Sequence, residues 1–336
     1  MGRYLIRRLL LAIPTLLAIS FIIFAVLDLA PGDPTGNLPL TIPPEVRQQV
    51  RQALGADDPF LVKYAKWVRQ FVVYEPLSQL KASTGIDLVP EGAVRILSWQ
   101  TRSPVSDLIW QRMPQTLWVV GLAYLLGVLI AVPVGVLSAY RQYSWFDQLG
   151  TFVSMVGFSV PTFFTGLLAI IIFSVQLGWL PSIYDTTLVV KDWPSFVQQV
   201  RQMIMPVAVL ALFNASQLSR FMRASMLDNM HQDYARTARS KGLRERAVVL
   251  GHVLRNSLIP VVTLIALGIP GIFTGAIITE QIFRVNGLGD LLIRGIYNSD
   301  IPMVQTITFM FAVLIVVFNI LADVAYGVLD PRIRYG

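Results

Sequence analysis

The chain reads as an all-α, polytopic membrane protein with six transmembrane helices and a helical insertion between the first two. Three observations predict this. Hydrophobic residues make up 54% of its 336 residues and charged residues only 14%, a balance outside the range of soluble domains, and the mean hydropathy is +0.61. Six stretches are free of Asp, Glu, Lys and Arg: Leu9–Leu27, Met113–Tyr140, Gln148–Tyr184, Gln202–Ser219, Asn256–Thr279 and Ile301–Ala322. Each holds ~18 residues or more, enough at 1.5 Å per residue to cross a hydrocarbon core of ~30 Å. The third observation is the distribution of Lys and Arg. With a cytoplasmic N-terminus, the inner segments carry Arg3, Arg7, Arg8, Arg141, eight basic residues between Arg220 and Arg255, and Arg332 and Arg334. The two short outer loops carry only Lys191, Arg201, Arg284 and Arg294. This asymmetry puts both termini in the cytoplasm, and it makes the net charge of +7 a topological signal and not one of nucleic-acid binding.

The first span resembles a signal peptide, with Arg7 and Arg8 before an apolar run. Asp28-Leu29-Ala30-Pro31 is a poor cleavage site and the run is long, so it reads as a retained helix occupying residues 1–30. Pro31, Gly32 and Pro34 break it. Residues 31–112 then form an external segment. Pro43-Pro44-Glu45 opens a helix through Val46, Val50 and Leu54 that Gly55 closes. A second starts near Asp58-Pro59 and places Phe60, Leu61, Tyr64, Trp67, Val68 and Phe71 at helical spacing. Its aromatic face is expected to pack on the chain's own surface. The segment is too short and polar for a catalytic domain.

Residues 113–336 hold the five-span core. In Gln148–Tyr184, Pro161 and Pro181 predict one bent span in place of two. The fifth span carries Gly271-Ile-Phe-Thr-Gly275, a small-xxx-small pair for close helix approach. The interiors of spans two to six hold no Asp, Glu, Lys, Arg or His; Asp28, Glu280, Asp300 and Asp323 sit at the edges. That argues against an ion-coupled carrier, which needs charged groups along its path. Ser159, Thr162, Asn214, Gln217 and Gln305 are candidates to line a water-filled path, helix–helix hydrogen bonding being the alternative for each.

Enzyme chemistry finds no support. There is no phosphate-binding Gly-x-x-x-x-Gly-Lys-Ser/Thr loop, no cysteine, and only His231 and His252, without zinc-ligand spacing. The intramembrane hydroxyls lack a neighbouring base. No cofactor or metal site is expected in this chain.

The loop from residue 219 to 256 is too long and too structured for a connection. Asp233-Tyr234-Ala235-Arg236-Thr237-Ala238-Arg239-Ser240-Lys241-Gly242 predicts a basic helix that Asp233 caps and Gly242 ends. Ala235 and Ala238 share a face small enough for close contact with a partner, flanked by Arg236, Arg239 and Lys241. The alternative is a helix resting on anionic lipid, but two alanines give little apolar anchorage.

This loop, continued through Leu254-Arg-Asn-Ser-Leu-Ile-Pro260, resembles the Glu-Ala-Ala loop of ATP-binding-cassette importer permeases. The version is that of the first permease subunit of the dipeptide/oligopeptide/nickel group. The general importer pattern has Glu where Arg236 stands and a proline nearer the glycine than Pro260, a departure typical of this group. Tyr4-Leu-Ile-Arg-Arg-Leu with Ala30-Pro-Gly-Asp-Pro34, Thr279-Glu-Gln-Ile-Phe with Gly287-Leu-Gly289, and Asp323-Val-Ala-Tyr-Gly-Val-Leu-Asp-Pro-Arg332 agree, although Asn286 stands where the family often has Pro. The resemblance spans essentially the whole chain and implies a type I importer permease of a bacterial inner membrane. Its expected partners are a second related permease, one or two cassette ATPases that hold ATP and Mg, and an extracytoplasmic binding protein that the external segment helps receive. The loop helix would transmit ATPase closure to spans four and five. Peptides are the implied cargo; glutathione or nickel chelates are the alternatives within the family.

Overall fold

The computed structural model describes residues 2–30, 43–53, 57–274 and 276–329. Gly55, Gly275, Pro31–Pro34 and Arg332–Arg334 therefore lie outside the described residues. In chain order the helices are α1 (Gly2–Asp28), α2 (Pro44–Ala53), α3 (Phe60–Arg69), α4 (Glu75–Thr84), α5 (Val105–Thr116), α6 (Leu122–Tyr140), α7 (Trp145–Ser159) and α8 (Thr162–Ala169). There follow α9 (Trp193–Met230), α10 (Asp233–Ser240), α11 (Glu245–Ala247), α12 (Leu254–Thr274), α13 (Ile277–Phe283), α14 (Leu288–Tyr297) and α15 (Ile301–Leu329). Turns of π-helix make α3–α4, α5–α6 and α11–α12 continuous rods. No β-strand occurs among the described residues, only an isolated bridge between Leu97 and Pro104.

Five helical stretches are long and apolar enough to cross a membrane, and the pair 145–159 and 162–176, bent by 103°, makes a sixth if taken as one broken span. The bend falls at Val160-Pro161, where proline removes a backbone donor and the residue before it is extended. Several spans differ from their sequence bounds; the second starts at Val105 in place of Met113, and two others differ in ways that bear on the site. α9 covers 38 residues, ~57 Å of helix, with a capping box between Asp192 and Ser195 starting it well before Gln202. The fifth span stops at Thr274, so Thr279 and Glu280 belong to the separate short α13.

The chain divides into two compact units. The first comprises residues 115–290 with the two chain ends. Its axis is α9, against which α6 lies through a seam of small residues, Gly127, Ala131 and Gly135, one turn apart. A methyl group built on Gly135 would stand 2.6 Å from Met222 Cβ and 2.7 Å from the Ser219 carbonyl oxygen. On Gly127 it would stand 2.8 Å from Asn214 Cβ. Only glycine lets these backbones approach so closely, and close approach is the principal source of packing energy where the solvent is itself apolar. α7 meets α9 in the same manner: Ser154 and Ser219 share a hydrogen bond of 3.0 Å, and Gly157 faces Ser216. At the Trp145 end, Arg223 grips the buried Asp147 with two hydrogen bonds of 2.7 and 2.8 Å.

The second unit comprises residues 7–114 and 291–316. As expected, the aromatic face of α3 packs on the chain itself. Tyr64 and Phe60 contact Phe21 and Phe24 of α1 edge-on, Trp67 lies against Phe309, and the Tyr64 hydroxyl shares a 2.8 Å hydrogen bond with Ser20. Two carboxylates organise the rest. Buried Glu75 accepts from the Ile96 amide, the Ser106 hydroxyl and Arg95, which also reaches Asp107 at 2.7 Å. Asp300, wholly buried, starts α15 and accepts from the Ser98 hydroxyl and the Trp99 and Gln100 amides.

Candidate functional site: the α10 helix and the polar span residues

α10 is held in place by three devices. Its start is set by Gln232 in extended conformation, and no side chain caps it. Asp233 is therefore not the cap expected from the sequence; it lies in the first turn, 95% exposed, where a carboxylate still favours the positive helix end. The end is a Schellman motif. Gly242 takes φ +78°, its amide donates to Arg239 O at 2.9 Å, and the Leu243 amide donates to Ala238 O at 3.4 Å. A side chain carrying Cβ is strained at that φ, which explains the glycine. Third, Arg239 donates to both oxygens of Glu245 at 3.0 and 2.8 Å and to the Met230 carbonyl at 3.0 Å. One guanidinium thus ties the end of α9, α10 and α11 together, and Glu245 holds it firmly charged. Tyr234 adds a 2.6 Å bond to Asn229.

The alanine pair faces the other way from the sequence expectation. Ala235 is 0% and Ala238 6% exposed, packed in one cluster with Met222, Met226, Val248, Val249 and Val253. Their small size lets α10 sit flush against its own α9 and the π turn that leads into α12. The free face of α10 carries Tyr234, Arg236, Thr237, Ser240, Lys241 and Leu243. The exposed Arg236 reaches only Asp233, at 3.4 Å, a pair worth under ~1 kcal/mol.

Among the polar candidates in the spans, Ser159 ends α7 exposed, Thr162 begins α8 half-buried, and Gln217 is exposed on α9. Asn214 is half-buried behind Gly127. Phe158 stacks on Phe213 at 6.1 Å and lies under Arg220, with its guanidinium carbon 4.8 Å from the ring centroid. Gln217 stands between residues 213 and 220 on that helix face, so Gln217 and Ser159 flank one aromatic pair. Gln305 does not join them: it belongs to the second unit and is buried, 5% exposed. The expected glycine pair also changes. A Cβ built on Gly271 would have no described atom within 4 Å, whereas one built on Gly268 would collide with the Tyr124 hydroxyl, which donates to Ile265 O at 2.6 Å. Intrachain packing of that helix therefore runs through Gly268.

Two features escaped the sequence reading. Arg220, counted with the inner segment, belongs to α9, and its guanidinium lies over the Phe158 ring. Glu280, read as an edge residue, is 1% exposed and accepts from the Thr116 hydroxyl and the Asp290 amide, both at 3.0 Å. Gly287 and Gly289 crowd it; a Cβ on Gly287 would lie 2.4 Å from its carboxylate. Burial drives the Glu280 carboxyl above the usual carboxylate range, and its hydrogen bonds only partly offset this. The Gly-x-Gly spacing behind a lone Glu was the available signal. His231 and His252 are both exposed, and the described residues contain no group of His, Asp and Glu able to hold a metal ion.

The chain is similar to known proteins along its whole length. Residues 131–335 match the family described as binding-protein-dependent transport system inner membrane component, and residues 1–120 match the N-terminal family of such membrane components. The chain is 38% identical over 339 residues to the oligopeptide transport system permease protein AppB of Bacillus subtilis (strain 168), covering 100% of both. It is 35% identical to a putative peptide transport system permease protein of Brucella abortus (strain 2308), again over 100% of both chains. The same identity holds for the glutathione transport system permease protein GsiC of Salmonella paratyphi A (strain ATCC 9150 / SARB42), over 100% of both. Among solved structures, an amino acid ABC transporter matches 66% of this chain and 94% of its own, with TM-score 0.50 and 16% identity, a likeness of fold.

Proposed function

Because the chain belongs to the family of inner membrane components of binding-protein-dependent transport systems, we propose that it is a permease subunit of an ATP-driven importer whose cargo is a peptide. The peptide and glutathione permeases among its relatives support that cargo class, glutathione being itself a small peptide. In this reading the chain performs no catalysis. ATP and Mg reside on partner ATPases, a second permease completes the path, and an extracytoplasmic binding protein delivers cargo to a surface that includes the external segment, residues 31–112. Both termini and α10 face the cytoplasm, as the Lys and Arg distribution favours.

The observation that carries the reading is the two-faced build of α10. Its alanine side is fused to α9 and α12, and its Tyr234, Arg236, Thr237 and Leu243 side is free. A helix locked to two spans and free on its other side converts a push from a soluble partner into movement of those spans. The lever requires rigidity, and the Arg239–Glu245–Met230 tie with the Schellman end supplies it. The double variant Arg236→Glu, Thr237→Trp alters only this free face. It should insert, retain its thermal stability, co-purify poorly with the ATPase and lose transport. Normal transport with the ATPase bound would reject α10 as the coupling element.

A further inference from the structure

We propose that Arg220 is a binding point for the carboxylate of the cargo, inside the span region beside the aromatic pair Phe158 and Phe213. The proposal rests on the permease reading above and specifies what that path recognises. Arg220 and Arg223 lie one turn apart on α9 and are used differently. Arg223 is neutralised by the buried Asp147. No described carboxylate pairs with Arg220; its guanidinium lies over the face of Phe158, 40% exposed. A cation held over a ring keeps its N–H donors for an anion, and a planar guanidinium matches a carboxylate with two parallel hydrogen bonds.

The surroundings of the side chain favour cargo over lipid. Arg220 leans towards the N-terminal end of α9, as helical side chains do, and its guanidinium rests over a ring in place of a charged partner. Its guanidinium meets Phe158, ~16 Å of helix beyond Asp147 along α7. That position is next to the 103° break between α7 and α8, where the helix ends and Ser159 is exposed. Gln217, exposed between Phe213 and Arg220, adds a neutral donor and acceptor. One cation with no described carboxylate partner, a stacked aromatic pair and two neutral polar groups suit a small molecule with a carboxylate and an apolar body. The C-terminus of a short peptide has that chemistry.

The test uses the whole importer, this chain with its second permease, ATPases and binding protein, in proteoliposomes with ATP. Trialanine and trialanine amide are the probes, each supplied saturating on the binding protein, whose affinity for both is measured separately. The intact importer should move the free acid roughly tenfold faster than the amide, the worth of one charge-assisted pair. Arg220→Gln should bring the ratio close to one by slowing the free acid towards the rate of the amide, and Arg220→Lys should retain most of the difference. An equal ratio in the intact importer and Arg220→Gln would overturn the proposal. So would a variant whose only change is its requirement for anionic phospholipid, which would make Arg220 a headgroup contact. If Arg220→Gln fails to assemble, a tripeptide with a benzophenone beside its carboxylate is cross-linked in the unmodified importer. Adducts within residues 158–162 or 213–220 support the site, and adducts confined elsewhere reject it. Failure to move either probe, with ATP hydrolysis intact, would instead reject the peptide-cargo reading and this inference with it.

Discussion

Ala235→Leu separates the two faces of α10. The Ala235 side chain has no exposed area and sits among Met226, Val248, Val249 and Val253. Leucine adds three carbons with no space to receive them, so α10 must lift from α9 or the π turn before α12 must deform. Inserting carbon into a filled core costs ~1–3 kcal/mol, a factor of roughly five to a hundred and fifty in the folded ratio. The loss is expected as a lowered unfolding temperature of the purified chain in detergent, before any ATPase is added. ATPase binding should weaken only in proportion to that loss, because the free face is untouched. A matched Thr237→Leu change on the exposed side should leave the unfolding temperature where it was. The opposite pattern, full stability in Ala235→Leu with ATPase association abolished, would show the alanine face meeting the partner and refute the inward packing argued here.

Glu280 gives a pH-dependent prediction. Its folded pKa lies above the ordinary value of 4.5 because burial penalises the carboxylate, so its share of stability is full below that value and is lost as pH rises through the raised folded pKa. Glu280→Gln should flatten the stability profile from 4.5 upward; Glu280→Ala should cost ~1–3 kcal/mol, leaving the Thr116 hydroxyl and Asp290 amide unsatisfied, and an unchanged profile in the Gln variant would remove Glu280 from this role. Orientation is testable in a chain with no cysteine: single cysteines at Ser240 and at the exposed Ile86 should react with impermeant thiol reagents from opposite sides of the membrane, and labelling from one side would break the six-span topology.

Membrane spans were legible because hydropathy over ~18 residues measures the property that selects them. The break at Pro161 was legible too, since proline acts through its own missing donor. The inward turn of Ala235 and Ala238 was not. Two small residues on a helix face mark close approach without naming the neighbour, and the neighbours here are Met226 and Val248, the latter ten residues beyond Ala238. Gly127-x-x-x-Ala131-x-x-x-Gly135 was present to be read as a packing seam, yet the Gly271–Gly275 pair has the same form and a Cβ on Gly271 would have no described atom within 4 Å. Spacing reports that close approach is possible; only the fold reveals what approaches. The contact that Arg220 makes was illegible for a different reason. Hydropathy assigns charge to the position of the Cα, whereas a long side chain delivers it several ångströms away.

The same packing logic links the α10 helix to the path. Along α9, the residues that meet α6 and α7 are Ala215, Ser216, Ser219 and Met222, and the contacts leave no room for a methyl group. Surfaces so tightly interlocked cannot slide by fractions of a turn, because every small displacement drives a backbone oxygen or a Met222 methylene into a glycine Cα. On the proposed reading, motion delivered at α10 would not be dissipated at the α6–α9 or α7–α9 seams and would move these helices as one body. Phe158, Ser159 and Arg220 lie beside the 103° break at Val160-Pro161 in the same unit, so the proposed coupling helix and the proposed cargo contact would share one rigid element. Loosening the seam with Met222→Ala should therefore leave ATP hydrolysis running while cargo movement falls, whereas equal loss of both would mean that the seam merely stabilises the fold.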